Sequence, residues 1–83
     1  MNYTVVWQPS AQDDLAALWV DNPSERNAIT AAAAAIDAAL RRDPHLPGSP
    51  VGGTRVWVRD PVVVEFTISD AQRLVTVLAI WHL

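Results

Sequence analysis

The sequence predicts an α+β domain with the order β-α-α-β-β-β, in which two helices pack on one face of a small, mainly antiparallel sheet. The C-terminal third alternates strand-forming segments with turn residues, which is typical of antiparallel strands. An alanine-rich stretch in the middle of the chain has very high helix propensity. Two helices placed between a first strand and a later three-strand unit favour helices that cover one sheet face.

The segment 54–82 predicts the three-strand unit around which the chain is organised. β-branched and aromatic residues dominate it, and turn residues interrupt it at Asp60-Pro61 and again at 70–73. We expect the second turn to be a four-residue loop. The stretch from Leu74 to Ile80 is apolar at nearly every position, which favours a central strand with the first strand beside it.

The pairing of the first two of these strands decides which side chains share a face. A two-residue loop would set Arg59 opposite Val62 and mix polar with apolar residues. A three-residue loop over 60–62 sets Val56 opposite Phe66 and collects the apolar side chains, so this register is favoured. The opposite, polar face is then predicted to carry Arg55, Trp57, Arg59, Glu65, Thr67 and His82.

The N-terminal half predicts one strand and two helices. Residues 3–7 form a short strand ended by a proline, and Ser10 is a candidate N-cap for a first helix over about 11–20. A second helix covers about 23–42, with Arg residues in its last turn and a proline after it. Residues 45–53 are predicted to be a loop that could border a site.

Length and composition indicate one small domain over residues 1–83. Half of the residues are apolar, and there is no cysteine. Two histidines far apart in sequence make a poor metal site, so neither a metal nor a cofactor is expected. The N-terminus lacks the features of a signal peptide and no run is long enough to span a membrane, which predicts a soluble, cytoplasmic protein without a membrane partner.

The charge balance argues against tight non-specific binding to nucleic acid. The formal net charge is −3, and every basic side chain other than histidine is an arginine. Non-specific binding depends on neutralising phosphates, so only a local basic patch would serve this function.

The order and spacing of short motifs resemble the RelE/ParE superfamily of small type II toxins over nearly the whole chain. The resembling pieces are Tyr3-x-Val-x-Trp7-x-Pro9-x-Ala11, Asp14-Leu15, Trp19, Ala35-Ile36-Asp37, Leu40, Asp43-Pro44, Gly48, the Arg55 strand, Val64-x-Phe66-x-Ile68, and Val75-x-Val77-Leu78-Ala79-x-Trp81-His82. The resemblance implies a toxin neutralised by a cognate antitoxin, as a possible homodimer or heterotetramer with it. It also implies either poisoning of DNA gyrase, as in ParE-like members, or cleavage of messenger RNA in the ribosome, as in RelE-like members.

Four residues are candidates for metal-independent RNA cleavage, which needs a base, an acid and cations near the phosphate. His82 matches the place where some RelE-like ribonucleases carry a catalytic histidine; the alternative is a histidine that ends a strand. Arg55 and Arg59 could clamp phosphate, or they could be solvated. Glu65 could be the base, although an ion pair with one of these arginines is the favoured interpretation.

Two further residues are candidates for substrate binding. Trp57 could stack on a base or anchor an antitoxin. Arg73 lies in a turn and is expected to be exposed, with substrate binding as the alternative.

One departure from the family pattern bears on the choice between gyrase poisoning and cleavage of messenger RNA. RelE-like ribonucleases usually carry an arginine near the start of the strand that here reads Val62-Val63-Val64, most naturally at Val63, and the usual lysines are absent. This favours a gyrase-type or divergent toxin over a ribosome-dependent ribonuclease. A non-catalytic binding module that keeps only the antitoxin or dimer surface is the third interpretation.

Overall fold

A computed structural model describes residues 2–83 of the chain and confirms the predicted α+β class. Five strands form one sheet in the order β1-β5-β4-β3-β2, with β1 parallel to β5 and the other pairs antiparallel. The elements are β1 (Thr4–Trp7), α1 (Pro9–Asp21), a 3₁₀ turn (Pro23–Glu25), α2 (Arg26–Arg42), β2 (Ser49–Val51), β3 (Thr54–Arg59), β4 (Val62–Ser69) and β5 (Leu74–His82). The short edge strand β2 lies inside the segment predicted to be a loop.

The position of β1 beside β5 agrees with the prediction, but the predicted start of the first helix is wrong. Helix α1 begins at Pro9, and Gln8 occupies the cap position. Proline suits the first helical turn because its missing N–H has no partner there anyway. The Ser10 hydroxyl therefore does not cap the helix, and it donates a long hydrogen bond of 3.4 Å to the Leu78 carbonyl on β5.

Helix α2 buries one stripe of its surface against the sheet. The buried residues recur at spacings of three and four, which is the period of one helix face, and they are Ile29, Ala32, Ile36 and Leu40. The small alanines beside this stripe allow the helix to lie close to its neighbours. No helix within residues 2–83 has the length and apolar character needed to cross a membrane.

The pairing of β3 with β4 contradicts the predicted register. The loop contains only Asp60 and Pro61, so Arg59 lies opposite Val62 and Arg55 lies opposite Phe66. The prediction assumed that the apolar face of β3 must be covered. Instead the main helix-to-sheet contacts run from α1 to β5 and from α2 to β1, so β3 flanks the core and can carry charged side chains on the helix side.

A β-bulge in β5 changes the facing of its second half. Glu65 pairs with Ala79 whereas Phe66 pairs with Val77, which leaves Leu78 as an extra residue on β5. The four-residue loop before β5 agrees with the prediction. In the first half of the strand, Val75 and Val77 face the helices as expected. Beyond the bulge the alternation is reversed, so Ile80, predicted for the other face, lies buried on the helix side.

The hydrophobic core lies between the helices and the central strands β4 and β5. The largest fully buried side chains from the sheet are Phe66, Ile80, Val62, Val64, Val75 and Val77. Burial of each such side chain contributes roughly 1.5–3 kcal/mol. The ends of β3, β4 and β5 that carry Arg59 and His82 lie at one margin of this core.

Candidate functional site

Arg59 and His82 lie in one row across three strands. Each is the pairing partner of Val62, from β3 on one side and from β5 on the other. Paired residues of adjacent strands share a face and lie about 5 Å apart, so the two Cα atoms are separated by roughly 10 Å. Both side chains are exposed whereas Val62 is fully buried, so the row presents two basic groups above an apolar floor.

The face on which this row lies differs from the prediction. Arg59 and His82 do share a surface, but it is the helix side of the sheet and not the side away from the helices. The bulge at Leu78 explains the position of His82, because one extra residue turns every later side chain over.

His82 makes two hydrogen bonds through its imidazole ring. Its Nε2 lies 2.7 Å from the Glu25 Oε2, and its Nδ1 lies 3.0 Å from the Leu83 carbonyl oxygen. The hydrogen bond to Glu25 is the main cause that raises the pKa of His82 above 6.5, and the Leu83 carbonyl adds to it. Sequence reasoning did not single out Glu25, because 57 residues separate it from His82 and only the fold brings them together.

Arg55 is largely occupied by the loop before β2. Its Nη2 donates to the carbonyl oxygens of His45 and Pro47 at 3.1 Å and of Gly48 at 3.2 Å. Its Nε is buried and has no hydrogen-bond partner among the described residues. These contacts make Arg55 a brace for the loop, two positions along β3 from Trp57 and four from Arg59.

Trp57 lies on the same face as Arg59, where it is half-buried. It pairs with Val64 on β4 and packs against the core. The prediction placed it opposite Glu65 on an exposed face, and the shorter loop at Asp60-Pro61 moves it to the margin of the core.

Glu65 lies on the opposite face from His82 and Arg59. It pairs with Val56 and Ala79, and its Oε2 accepts a hydrogen bond of 2.9 Å from the Thr54 hydroxyl. The favoured prediction of an ion pair with Arg55 or Arg59 is wrong, because the pairing of β3 with β4 sends these side chains to opposite faces. The structure therefore does not bring Glu65 together with the row as a base.

Arg73 belongs to a second polar cluster at the other end of the sheet. It is half-buried, rather than exposed as predicted, and its guanidinium lies 5.4 Å from the centre of the Tyr3 ring. Asp70 accepts hydrogen bonds of 2.7 Å from the Tyr3 hydroxyl and from the His45 Nε2. The His45 and Tyr3 contacts lower the pKa of Asp70, and the same contact with Asp70 raises the pKa of Tyr3.

An apolar groove of about 980 Å³ opens between the two helices above β1. Its lining is mostly hydrophobic, and the helix residues along it are partly small alanines. Residues that carry this character are Val5, Leu15, Trp19, Val20, Ala33 and Ala34. Trp19 and Val20 are 44% and 61% exposed, so the groove leaves large apolar side chains open to solvent.

The sheet face away from the helices also carries exposed apolar side chains. Val58 and Trp81 flank Val63 on the neighbouring strands and are 55% and 42% exposed. Sequence reasoning expected Val63, Leu78 and Ile80 to need a cover on this face. Val63 is already buried between its two neighbours.

Metal binding receives no support from the described part of the chain. Among residues 2–83, no group of three or more His, Cys, Asp or Glu side chains is placed to hold a metal ion.

Two solved structures of similar fold come from toxin–antitoxin systems. The toxin–antitoxin complex RelBE2 from Mycobacterium tuberculosis contains a chain with 24% sequence identity and a TM-score of 0.84, covering 100% of this chain and 93% of that chain. A chain of the chromosomal ParDE system from P. aeruginosa has 18% identity and a TM-score of 0.77, covering 98% of this chain and 96% of that one. No protein-family profile matches the sequence, and no curated protein matches it.

The chain therefore shares the fold of these chains of the RelBE2 and ParDE systems, and the α+β fold expected from the sequence resemblance is confirmed. At these identities the likeness establishes architecture, and activity depends on the site residues.

Proposed function

We propose that this protein is the toxin of a type II toxin–antitoxin pair and that it acts in the cytoplasm. The observation that carries the proposal is the similarity in fold to chains of the RelBE2 and ParDE systems, which extends over essentially all of this chain. A cognate antitoxin is the implied partner, in a complex of two or four chains.

The groove between α1 and α2 is the surface that suits such an antitoxin. It is open, apolar and lined by alanines that let another backbone approach closely. An amphipathic helix that inserts apolar side chains at i, i+3 and i+4 would cover the exposed Trp19 and Val20. Burial of these two side chains would contribute a few kcal/mol to binding.

A gyrase-type or divergent target is the first choice for the toxic activity. The position between Arg59 and His82 holds a buried valine, so the row offers two basic groups to a phosphate and not three. Val63, where the family pattern places an arginine, faces the other side of the sheet. The net charge of −3 would also weaken attraction to ribosomal RNA.

Ribosome-dependent cleavage of messenger RNA is the second candidate, and the row of Arg59 and His82 favours it. An exposed imidazole and an exposed guanidinium on one face supply proton transfer and charge stabilisation for attack by a 2′-hydroxyl. Arg55 would support this site indirectly by holding the loop before β2, and Trp57 would border it. Glu65 and Arg73 lie away from it.

Induction of the protein alone, with paired readouts, tests the toxin proposal. Growth arrest is expected, with a change in DNA supercoiling for a gyrase-type target or new 5′ ends inside translated messages for RNA cleavage. His82→Ala and Arg59→Ala should lose toxicity only if RNA is cleaved. Unimpaired growth on induction of a folded, abundant protein would reject the toxin proposal and leave a non-catalytic binding module.

The groove is tested by rescue with the protein encoded beside this gene. An Ala34→Arg substitution places a charged chain in the groove and should abolish rescue while toxicity stays intact. Ala31→Arg on the solvent side of the same helix is the matched control and should be rescued like the wild type. Equal rescue of both variants would exclude the groove as the antitoxin surface.

A further inference from the structure

The hydrogen bonds of His82 define the charge of its ring. The Glu25 carboxylate near Nε2 and the Leu83 carbonyl near Nδ1 are both acceptors. A neutral imidazole carries one N–H, so one of its nitrogens would direct a lone pair at an acceptor oxygen. Only the doubly protonated imidazolium satisfies both contacts.

The pair between His82 and Glu25 is built by the tertiary fold and stays accessible. Glu25 is the last residue of the 3₁₀ turn before α2, and His82 lies at the end of β5. Each side chain of the pair is 38% exposed, so solvent and a small ligand reach both. The other charged groups near the ring are Asp60, which also favours the charged form, and Arg59 across Val62.

Arg59 supplies the second cation of this surface. Within residues 2–83 it forms no salt bridge to a carboxylate, whereas His82 is neutralised by Glu25. A carboxylate that forms a hydrogen bond to an imidazolium competes with an incoming anion for the same N–H. Glu25 therefore favours the charged form of His82 and, through the same hydrogen bond, occupies its Nε2.

We propose that Glu25 is a positioning residue that holds His82 as an imidazolium and occupies its Nε2–H until one phosphate group displaces the carboxylate and binds His82 and Arg59 together. In this arrangement His82 is a proton donor or a fixed cation and not a general base. The choice of a phosphodiester in RNA as the natural ligand rests on the second candidate function proposed above. The charge of His82 and its dependence on Glu25 hold for any function of the protein.

Titration of the imidazole nitrogens by NMR tests the positioning role of Glu25. The chain has two histidines, so the signals of only two imidazole rings have to be assigned. The pKa of His82 is expected above 6.5 in the wild type and lower in Glu25→Gln, which keeps the size of the side chain but removes its charge. Asp70→Asn, which removes the carboxylate beside His45, is the matched control and should leave His82 unchanged.

A wild-type pKa of His82 at or below 6.5 would overturn the proposal without any variant. An unchanged pKa in a folded Glu25→Gln protein would overturn it as well. Neither outcome depends on whether the protein is toxic.

Binding of inorganic phosphate at two pH values tests the second half of the proposal. At about pH 7.5, Glu25→Gln should bind phosphate at least as tightly as the wild type, because a carboxylate that the phosphate displaces stabilises only the unliganded protein. At about pH 5.5 both proteins carry the imidazolium, and Glu25→Gln should bind phosphate severalfold more tightly than the wild type since no carboxylate competes. Arg59→Ala should weaken binding at both pH values.

The order of affinities is the decisive result. If Glu25→Gln binds phosphate more weakly than the wild type at either pH value, Glu25 is not a competitor for the anion and the proposal is wrong. If the wild type shows no phosphate-dependent shift at His82, the row is not an anion site. A short RNA that cannot be cleaved then separates a phosphodiester from free phosphate as the ligand, and shifts at His82 with RNA are expected only if the ribonuclease proposal holds.

Discussion

Gly48 is the position where a single added methyl group should be most informative. It has a φ of +75°, in the left-handed region that side chains other than glycine rarely adopt. A Cβ there would lie 2.6 Å from the Val56 carbonyl oxygen and 2.9 Å from the Trp57 Cβ. The first of these is backbone, so the contact cannot be relieved by rotation of a side chain.

The expected cost of Gly48→Ala is the sum of two effects. The left-handed conformation costs roughly 1–2 kcal/mol for an L-residue. The steric conflict with β3 adds about 1–3 kcal/mol, as for overpacked sites in protein cores. The total of about 2–5 kcal/mol is a large fraction of the free energy of unfolding of an 83-residue domain, which is roughly 4–12 kcal/mol.

Gly52 and Gly53 provide matched controls in the same part of the chain. Gly52 has a φ of +62° but open space around its Cα, so Gly52→Ala should show only the conformational cost of roughly 1–2 kcal/mol. Gly53 has neither constraint, and Gly53→Ala should be close to neutral.

Urea unfolding of the three variants measures these differences as shifts in midpoint at constant m-value. The expected order of destabilisation is Gly48→Ala, then Gly52→Ala, then Gly53→Ala. Equal destabilisation of Gly48→Ala and Gly52→Ala would refute the close approach of the loop to β3. It would also remove the basis for the contact between Arg55 and the Gly48 carbonyl.

Two further predictions concern the core and the second polar cluster. Phe66→Ala should lower the free energy of unfolding in urea by about 3–5 kcal/mol because the ring is fully buried. Val58→Ala, at an exposed position, should change it by less than about 0.5 kcal/mol. Similar losses of stability in the two variants would contradict the pairing of β3 with β4. The pKa of Asp70 is lowered from 3.8, so its stabilising effect is present above that pH and is lost as the pH falls through the folded-state pKa. Asp70→Asn should therefore be less stable than the wild type at neutral pH. In thermal unfolding, the difference in stability between the two proteins should shrink only below pH 3.8. A difference that stays constant with pH would exclude the ionised carboxylate as its cause.

Local patterns in the sequence were sufficient for both helices and four of the five strands, and the short edge strand β2 was missed. The alanine-rich helix, the turn at 70–73 and the alternating strands depend on propensities and periods that act within a few residues. The central position of Leu74–Ile80 followed from its apolar residues on both faces. Arg59 and His82 were also expected to share a face. They do so because two errors cancel: the shorter loop at Asp60-Pro61 turns Arg59 to the helix side, and the bulge at Leu78 turns His82 to the same side.

Those two errors show where local patterns are insufficient. The apolar alternation of β3 suggested that Val56 and Val58 face the helices, but the main contacts of the helices with the sheet lie on β5 and β1 and not on β3. The extra residue at Leu78 left no clear trace in the sequence, because a bulge in an apolar strand replaces one hydrophobic side chain by another. The sheet face on which a side chain of β3 lies depends on how far the helices cover the sheet, and this is a property of the whole fold.

By itself, the sequence determined a small α+β domain in which the first strand lies beside the last, and its motifs resemble RelE/ParE-type toxins. The tertiary structure alone decided that His82 meets Glu25, that Arg55 braces a loop, and that Glu65 lies on the other face. These outcomes depend on contacts between residues far apart in the chain. Such contacts are selected by which buried surfaces fit together, and no short stretch of residues contains that information.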